Sequence, residues 1–295
     1  MRPEEFSDED NERAEDFQRE IDARKGYALT NFGFNQHQGH DKVTVRQLQT
    51  LADKIKKDCA PYIEANRSEL LARKYLFRGV VGARVGELAI TGTVRQDRKP
   101  RDTAKFWHYA LDDYFEYDFG WRYRSASMFA SPSQGLVADF GPRYIVFPIG
   151  NYTMCYSPIV EDITTMLGSD DLLFNRGYVS ELLHTLPEEE LWTNAKRFEI
   201  ELDRTKARQE LISLFALFAD RTIRHAEFNK PLAEKFSYFL TRYFFPKLKY
   251  QETLSLKEIP QVEVMTKCDS FHGISTDLTY RTSGVNLQLM DMILS

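Results

Sequence analysis

Cysteine is scarce: Cys59, Cys155 and Cys268 stand far apart in a chain of 295 residues. An odd, dispersed set supports neither a disulfide framework nor a CxxC metal site, so reduced, buried thiols are expected. Long hydrophobic runs are missing as well. The longest, Leu211 to Ala219, is interrupted by Ser213 and reaches about half of the length a bilayer-spanning helix requires. There is no excess charge of one sign: 39 Lys and Arg face 44 Asp and Glu, and a net charge of −5 marks no general binder of nucleic acid or anionic membrane. The N-terminus from Met1 to Asp10 is acidic where a signal peptide is basic and then apolar, which points to a cytoplasmic protein. Neither standard Gly-rich phosphate loop occurs, which speaks against P-loop and Rossmann nucleotide sites, and no Gly-x-Ser-x-Gly elbow marks a serine hydrolase. His108, His184, His225 and His272 lack metal-ligand spacing, and the loop Asn31 to His40 that holds His37 and His40 contains no carboxylate or thiol, so no metal is expected.

What is present is an ordinary globular composition, 42% hydrophobic and 28% charged, long enough for one large or two modest domains. Residues 7–74 read as helical: Ser7 can cap the charged stretch Asp8 to Arg24. Val45, Leu48, Leu51, Ile55 and Cys59 recur at helical spacing, and the polar, Gly-containing stretch Asn31 to His40 forms a loop between them. From Lys74 to Val81 the chain turns aromatic and β-branched, a strand signal. The segment Arg95 to Arg101 follows as a basic loop, read as solvated or, in the alternative, as lying near a ligand pocket, and Asp102-Thr103 caps a helix from Ala104 to Tyr117 that stops at Gly120. Arg143 to Ile149 reads as a further strand, and Ser157-Pro158 as the start of a short helix toward Leu167. Residues 176–248 return to helical stripes, Leu211, Leu214, Phe215 and Phe218 on one and Phe236, Phe239, Leu240 and Tyr243 on another. Glu188 to Glu190, after Pro187, suits a helix start. Gln261 to Lys267 and Ser270 to Ile274 read as a late strand pair. The sum is an α+β chain without internal repeats: an N-terminal helical lobe over 1–73, a first part of a β core over 74–175, a helical insertion over 176–248 and the last strands of the core over 249–295.

Three segments carry candidate chemistry. In Tyr75-Leu76-Phe77-Arg78-Gly79 an arginine interrupts an apolar strand, a costly placement unless the guanidinium meets a partner, and its fork suits a pyrophosphate. Small hydroxyl residues follow in Tyr123-Arg124-Ser125-Ala126-Ser127-Met128-Phe129-Ala130-Ser131-Pro132-Ser133, able to orient a carboxylate or a ribose. In Gln261-Val262-Glu263-Val264 the period of a strand puts Gln261 and Glu263 on one face.

Taken in order, arginine, Phe-x-Ser-x-Ser and Gln-x-Glu, these segments resemble the ADP-ribosyltransferases of the arginine, serine-threonine-serine and glutamate class, which includes bacterial toxins and enzymes of large phages. The chain is also similar to tailed-phage proteins carrying an FRG strand and an IFPIG-like strand, here Ile145 to Gly150. The resemblance spans Lys74 to Ser275. It implies a split β-sandwich core that takes NAD as substrate, with Arg78 and Gly79 at the pyrophosphate and Glu263 beside the ribose. Ser131 and Ser133 match the serine element although Pro132 stands where threonine is usual, and Ser125 and Ser127 are a rival match. Phe140 is a candidate to stack on nicotinamide, with a core aromatic as the other reading, and the resemblance implies that Gln261 positions the acceptor. The expected activity is mono-ADP-ribosylation of a host macromolecule, a protein before a nucleic acid, by a phage-encoded enzyme. A catalytically inactive binding module of the same fold, in a virion or on a host factor, is the alternative, and an NAD-hydrolysing toxin is chemically adjacent.

Overall fold

A computed structural model describes residues 30–31, 43–83, 87–100, 105–163, 237–276 and 284–295, together with Pro187, Glu189, Glu190, Thr193, Glu210 and Leu211. The strands are β1 (Thr30–Asn31), β2 (Phe77–Gly79), β3 (Ala89–Thr93), β4 (Met128–Ala130), β5 (Arg143–Pro148), β6 (Thr153–Tyr156), β7 (Gln251–Thr253), β8 (Val264–Lys267) and β9 (Ser270–Ser275). The α-helices named below are α1 (Val45–Asp58), α2 (Ala60–Ala65), α3 (Arg67–Leu71), α4 (Lys105–Phe119) and α5 (Val285–Leu294). The class is α+β, with two antiparallel sheets. The described residues fall into two compact units. One takes those within Met1–Val94, Ala130–Tyr152 and Cys268–Ser295, the other those within Arg95–Phe129 and Thr153–Lys267.

The first unit is built on the five-stranded sheet β1-β3-β9-β5-β2. Its centre is β5 and β9, where Tyr144 to Phe147 form a continuous buried run, as expected of a strand covered on both faces. Gly92 faces Phe271 across β3 and β9, and a Cβ there would lie 2.5 Å from Phe271 Cζ, so the glycine makes room for the ring. α1 starts with a capping box between Thr44 and Gln47 and buries Leu48, Leu51, Ala52 and Ile55 on one stripe. Asp58, at its end, accepts a hydrogen bond from Lys54 Nζ at 2.8 Å and one from buried His272 Nε2 at 2.9 Å. That contact makes His272 Nδ1 the acceptor for Thr91 Oγ1, 2.9 Å away. Burial works against the charge of Asp58, but Lys54 and His272 outweigh it and hold the carboxyl below its ordinary range.

The second unit is built on the four-stranded sheet β4-β8-β6-β7. α4 contributes Tyr114 and Phe115 to an aromatic cluster in which Phe115 meets Tyr250 edge to face at 4.9 Å and Tyr114 meets Phe245 at 5.5 Å. The helical segment before β7 widens into a π turn over Leu240–Phe244 and tightens into a 3-10 turn over Phe245–Leu248. Lys249, at φ 53°, then ends it in the left-handed conformation.

The strand at Arg78, the strand Arg143–Pro148, the helix after Thr44 and the helix before Gly120 form where expected. All three thiols are buried and outside disulfides, and burial pushes Cys268 up to about 12. Glu189 and Glu190 are helical and exposed, in keeping with a helix start. Other expectations need correction. Val45 lies off the buried stripe, 61% exposed. Thr30–Asn31 pair with β3, so the expected loop gives way to a strand at its first residue. Ser157 does not itself open the helix: its Oγ accepts from the N–H groups of Ile159 and Val160, closing a turn, bends follow to Glu161, and Ile163 is the first helical residue. The late strand begins only at Val264. Pro260 supplies no N–H, and Val262 N turns back to the Pro260 carbonyl at 2.9 Å, which bends the chain through Gln261. Nor do the two late strands pair with each other: β8 lies in the four-stranded sheet and β9 between β3 and β5. The charged stretch Asp8 to Arg24, His37, His40, Asp102-Thr103 and most of 176–248, including Leu214, Phe215, Phe218 and Phe236, lie outside the described residues. Leu211, Phe239 and Leu240 are buried, and no helix among the described residues is long and apolar enough to cross a membrane.

Candidate functional site

In the first unit, Arg78 lies on β2, the edge of the five-stranded sheet, opposite Tyr144. Its half-buried guanidinium stands 5.6 Å from the centre of the Phe271 ring, the ring that Gly92 accommodates. Gly79 has a packing role: a Cβ there would meet the Val137 carbonyl at 2.5 Å and Phe140 Cβ at 2.7 Å. That close approach fixes the turn Ala138–Phe140 against β2 and leaves Phe140 36% exposed. Ser131 bridges to Phe77 through both backbone groups, Phe77 N to Ser131 O at 2.7 Å and Ser131 N to Phe77 O at 2.9 Å. Its buried hydroxyl accepts from Ser133 N at 3.0 Å. Arg78, Gly79, Ser131, Ser133 and Phe140 thus belong to one corner of this unit.

Glu263, Gln261, Ser125 and Ser127 belong to the second unit. Gln261 is exposed in the bend before β8. Glu263 directly precedes β8, its N–H bonded to the Glu161 carbonyl at 2.8 Å. Arg124 Nη1 donates to Glu263 Oε1 at 2.8 Å, while Oε2 takes no hydrogen bond among the described residues. The Glu263 side chain is 21% exposed and that of Arg124 7%. Burial raises the Glu263 carboxyl above its ordinary range, with Arg124 pulling the other way, Asp162 adding to the rise and Arg98 opposing it. Phe129, on β4, carries two guanidinium groups, Arg98 at 4.2 Å and Arg124 at 4.7 Å from the ring centre.

A buried network holds this arrangement. Asp112 on α4 accepts from Arg124 N at 2.8 Å, from Ser125 N at 3.1 Å and from the Ser125 hydroxyl. His108, one turn earlier, donates through Nε2 to the Arg98 carbonyl at 3.1 Å and stands 3.0 Å from Ser125 Oγ. Arg98 N in turn donates to Ser125 O at 2.9 Å. Because the Ser125 proton goes to Asp112 and the Nε2 proton toward Arg98, this serine, histidine and aspartate do not form a nucleophile and its base. Ser127 accepts from Trp121 Nε1 at 3.3 Å. The rival serine pair is therefore engaged in internal bonds. Arg124 and Phe129 were not expected at a site, and for Arg98 the solvated reading of the basic loop gives way to a half-buried side chain on the Phe129 ring. The available signals were an arginine inside the apolar stretch around Tyr123 and the i, i+4 pair His108 and Asp112 on one helix face.

Burial pushes His108 down to about 4 from 6.5, and the Arg124 charge adds to the shift. Between those two values the unfolded chain binds a proton that the folded chain refuses, so stability falls as the pH drops from about 6.5 toward 4, by up to about 3 kcal/mol. Asp112, raised by burial, opposes this at the acid end, since there the folded state takes up a proton before the unfolded one. The loss is therefore steepest in the upper part of the window. Urea unfolding at stepped pH should show it, and His108→Gln should flatten the slope; a parent equally stable at pH 7 and pH 5 would contradict it.

No protein-family model matches the chain, and neither does any curated protein or solved structure. Among the described residues no group of three His, Cys, Asp or Glu side chains is placed to hold a metal ion.

Proposed function

We propose that the chain is an NAD-dependent mono-ADP-ribosyltransferase, phage-encoded, that modifies a host macromolecule, a protein first of all. The observation that carries this reading is the state of Glu263: a largely buried carboxylate with one oxygen committed to Arg124 and the other taking no hydrogen bond among the described residues. Positive charge spreads over the ribose when the bond to nicotinamide breaks, and a fixed carboxylate stabilises that charge more in the transition state than in the ground state. The C1′–N bond cleaves, nicotinamide leaves as a neutral molecule with the bonding pair, and an acceptor oxygen or nitrogen bonds to C1′ and gives up its proton. Arg78, charged at every physiological pH and half-buried on an edge strand, suits the pyrophosphate. Ser131 and Ser133 remain the serine element of this reading, with Gln261 toward the acceptor. The α+β class with two antiparallel sheets also supports it.

Purified protein incubated with NAD, with and without cell lysate, tests the reading through nicotinamide release. Release that depends on lysate is expected. Release without lysate replaces the proposal with NAD hydrolysis, and no release from folded protein replaces it with the inactive binding module.

Arg78→Ala should weaken NAD binding by roughly 10- to 100-fold, the worth of charge-assisted hydrogen bonds of about 1.5–3 kcal/mol. Calorimetric titration measures this, and unchanged affinity would leave Arg78 a purely structural partner of Phe271.

A further inference from the structure

We propose that Arg124 is the positioning residue of Glu263, fixing which carboxylate oxygen is presented to the ribose; this rests on the transferase reading above. Glu263 precedes β8, so the strand ladder does not set the direction of its side chain, and its N–H reaches only the Glu161 carbonyl. Arg124 does set it. The Arg124 backbone is anchored by Asp112, its guanidinium lies on Phe129 beside that of Arg98, and from there Nη1 meets Oε1 at 2.8 Å. A single oxygen is engaged, and the same contact that orients the carboxylate leaves Oε2 for substrate.

The pair also bears on protonation. The groups that act on Glu263 come from five segments: Arg124 before β4, Arg98 after β3, Asp162 after β6, Cys155 on β6 and Tyr250 before β7. Burial holds Cys155 and Tyr250 neutral, so among the described residues the charges that act on Glu263 are those of two arginines and one aspartate. Loss of the Arg124 charge leaves burial and Asp162 to favour the protonated carboxyl, which cannot stabilise an oxocarbenium.

The test compares Arg124→Gln and Arg124→Lys with the parent in two measurements. The first is the pH profile of nicotinamide release. The second is the titration of the Glu263 carboxyl carbon by NMR in protein labelled with 13C-glutamate, its signal assigned by its absence from Glu263→Gln. In Arg124→Gln the acid limb and the NMR titration should both move up by about one pH unit or more, the scale of a lost neighbouring opposite charge. There kcat should fall while KM for NAD changes little. Arg124→Lys, which keeps the charge, should stay near the parent in pH profile and recover part of kcat. A folded Arg124→Gln with parental titration and parental kcat overturns the positioning role alone. A parent that releases no nicotinamide overturns the transferase reading and the catalytic role with it, whatever the NMR titration shows.

Discussion

Glu263→Gln is expected to lower nicotinamide release from NAD by at least two to three orders of magnitude, while the circular dichroism spectrum and most of the NAD affinity stay as in the parent. The substitution keeps the size and shape of the side chain and removes the charge opposed to the ribosyl cation, and the loss of one preorganised electrostatic partner typically costs about 10²–10³ in kcat. Binding should change little because the charge develops in the transition state and not in bound NAD. The Arg124 contact is not lost either, since a carboxamide oxygen still accepts from Nη1 at the position of Oε1. Stability should not drop greatly for the same reason, and Gln, being uncharged, no longer bears the burial cost that raises the Glu263 carboxyl. Single-turnover measurement of nicotinamide release separates the chemical step from binding. A variant that turns over at the parental rate would show that Glu263 is a partner of Arg124 and nothing more.

The elements that the sequence made legible are those whose signal is local. The strand holding Arg78 announces itself through Tyr75, Leu76 and Phe77 and ends at a glycine, and the helix after Thr44 through a cap and the apolar residues Leu48, Leu51 and Ile55 at steps of three and four. The strand of Tyr144 to Phe147 is a continuous apolar run. What the pattern hid was decided by partners far away in the chain. Gln261 to Val264 alternates like a strand and runs on into Met265, yet the turn made by Pro260 and Val262 removes the first three residues from the ladder. Only Cys268 and Asp269 separate β8 from β9, a spacing that suits a hairpin, but Val94 N bonds the Asp269 carbonyl and β9 is inserted between β3 and β5. Glu263 could be singled out by its setting in Gln-x-Glu, whereas its partner Arg124 is 139 residues away and no periodicity connects them. Likewise, Ser125 and Ser131 look alike in sequence; only the packing of α4, which brings Asp112 and His108 onto Ser125, tells them apart.

Asp112→Ala should destabilise the second unit by about 3–5 kcal/mol, and should reduce nicotinamide release beyond what unfolding explains. The Asp112 side chain is 3% exposed and accepts three hydrogen bonds, from two consecutive backbone N–H groups and the Ser125 hydroxyl. Truncation leaves these donors buried and without their acceptor. Each orphaned group costs on the order of 1–3 kcal/mol, and an alanine at this position on α4 supplies no substitute. The effect does not stop at stability. The turn from Arg122 to Ala126 is closed by Ala126 N to Arg122 O at 2.8 Å and braced by Arg98 N on the Ser125 carbonyl and Trp121 Nε1 on the Ala126 carbonyl, while Asp112 is the group that takes the Arg124 N–H. Freed of Asp112, Arg124 loses the anchor from which it reaches Glu263, and the carboxylate is no longer held in one direction. Asp112→Asn separates the two consequences: its carbonyl oxygen can still accept from the backbone of Arg124 and Ser125, so it should retain most of the stability and most of the activity. Urea denaturation at pH 7 together with kcat at a temperature well below the unfolding transition measures both. An Asp112→Ala protein within about 1 kcal/mol of the parent would mean that water replaces the carboxylate, and a folded Asp112→Ala protein with parental kcat would detach α4 from the orientation of Glu263.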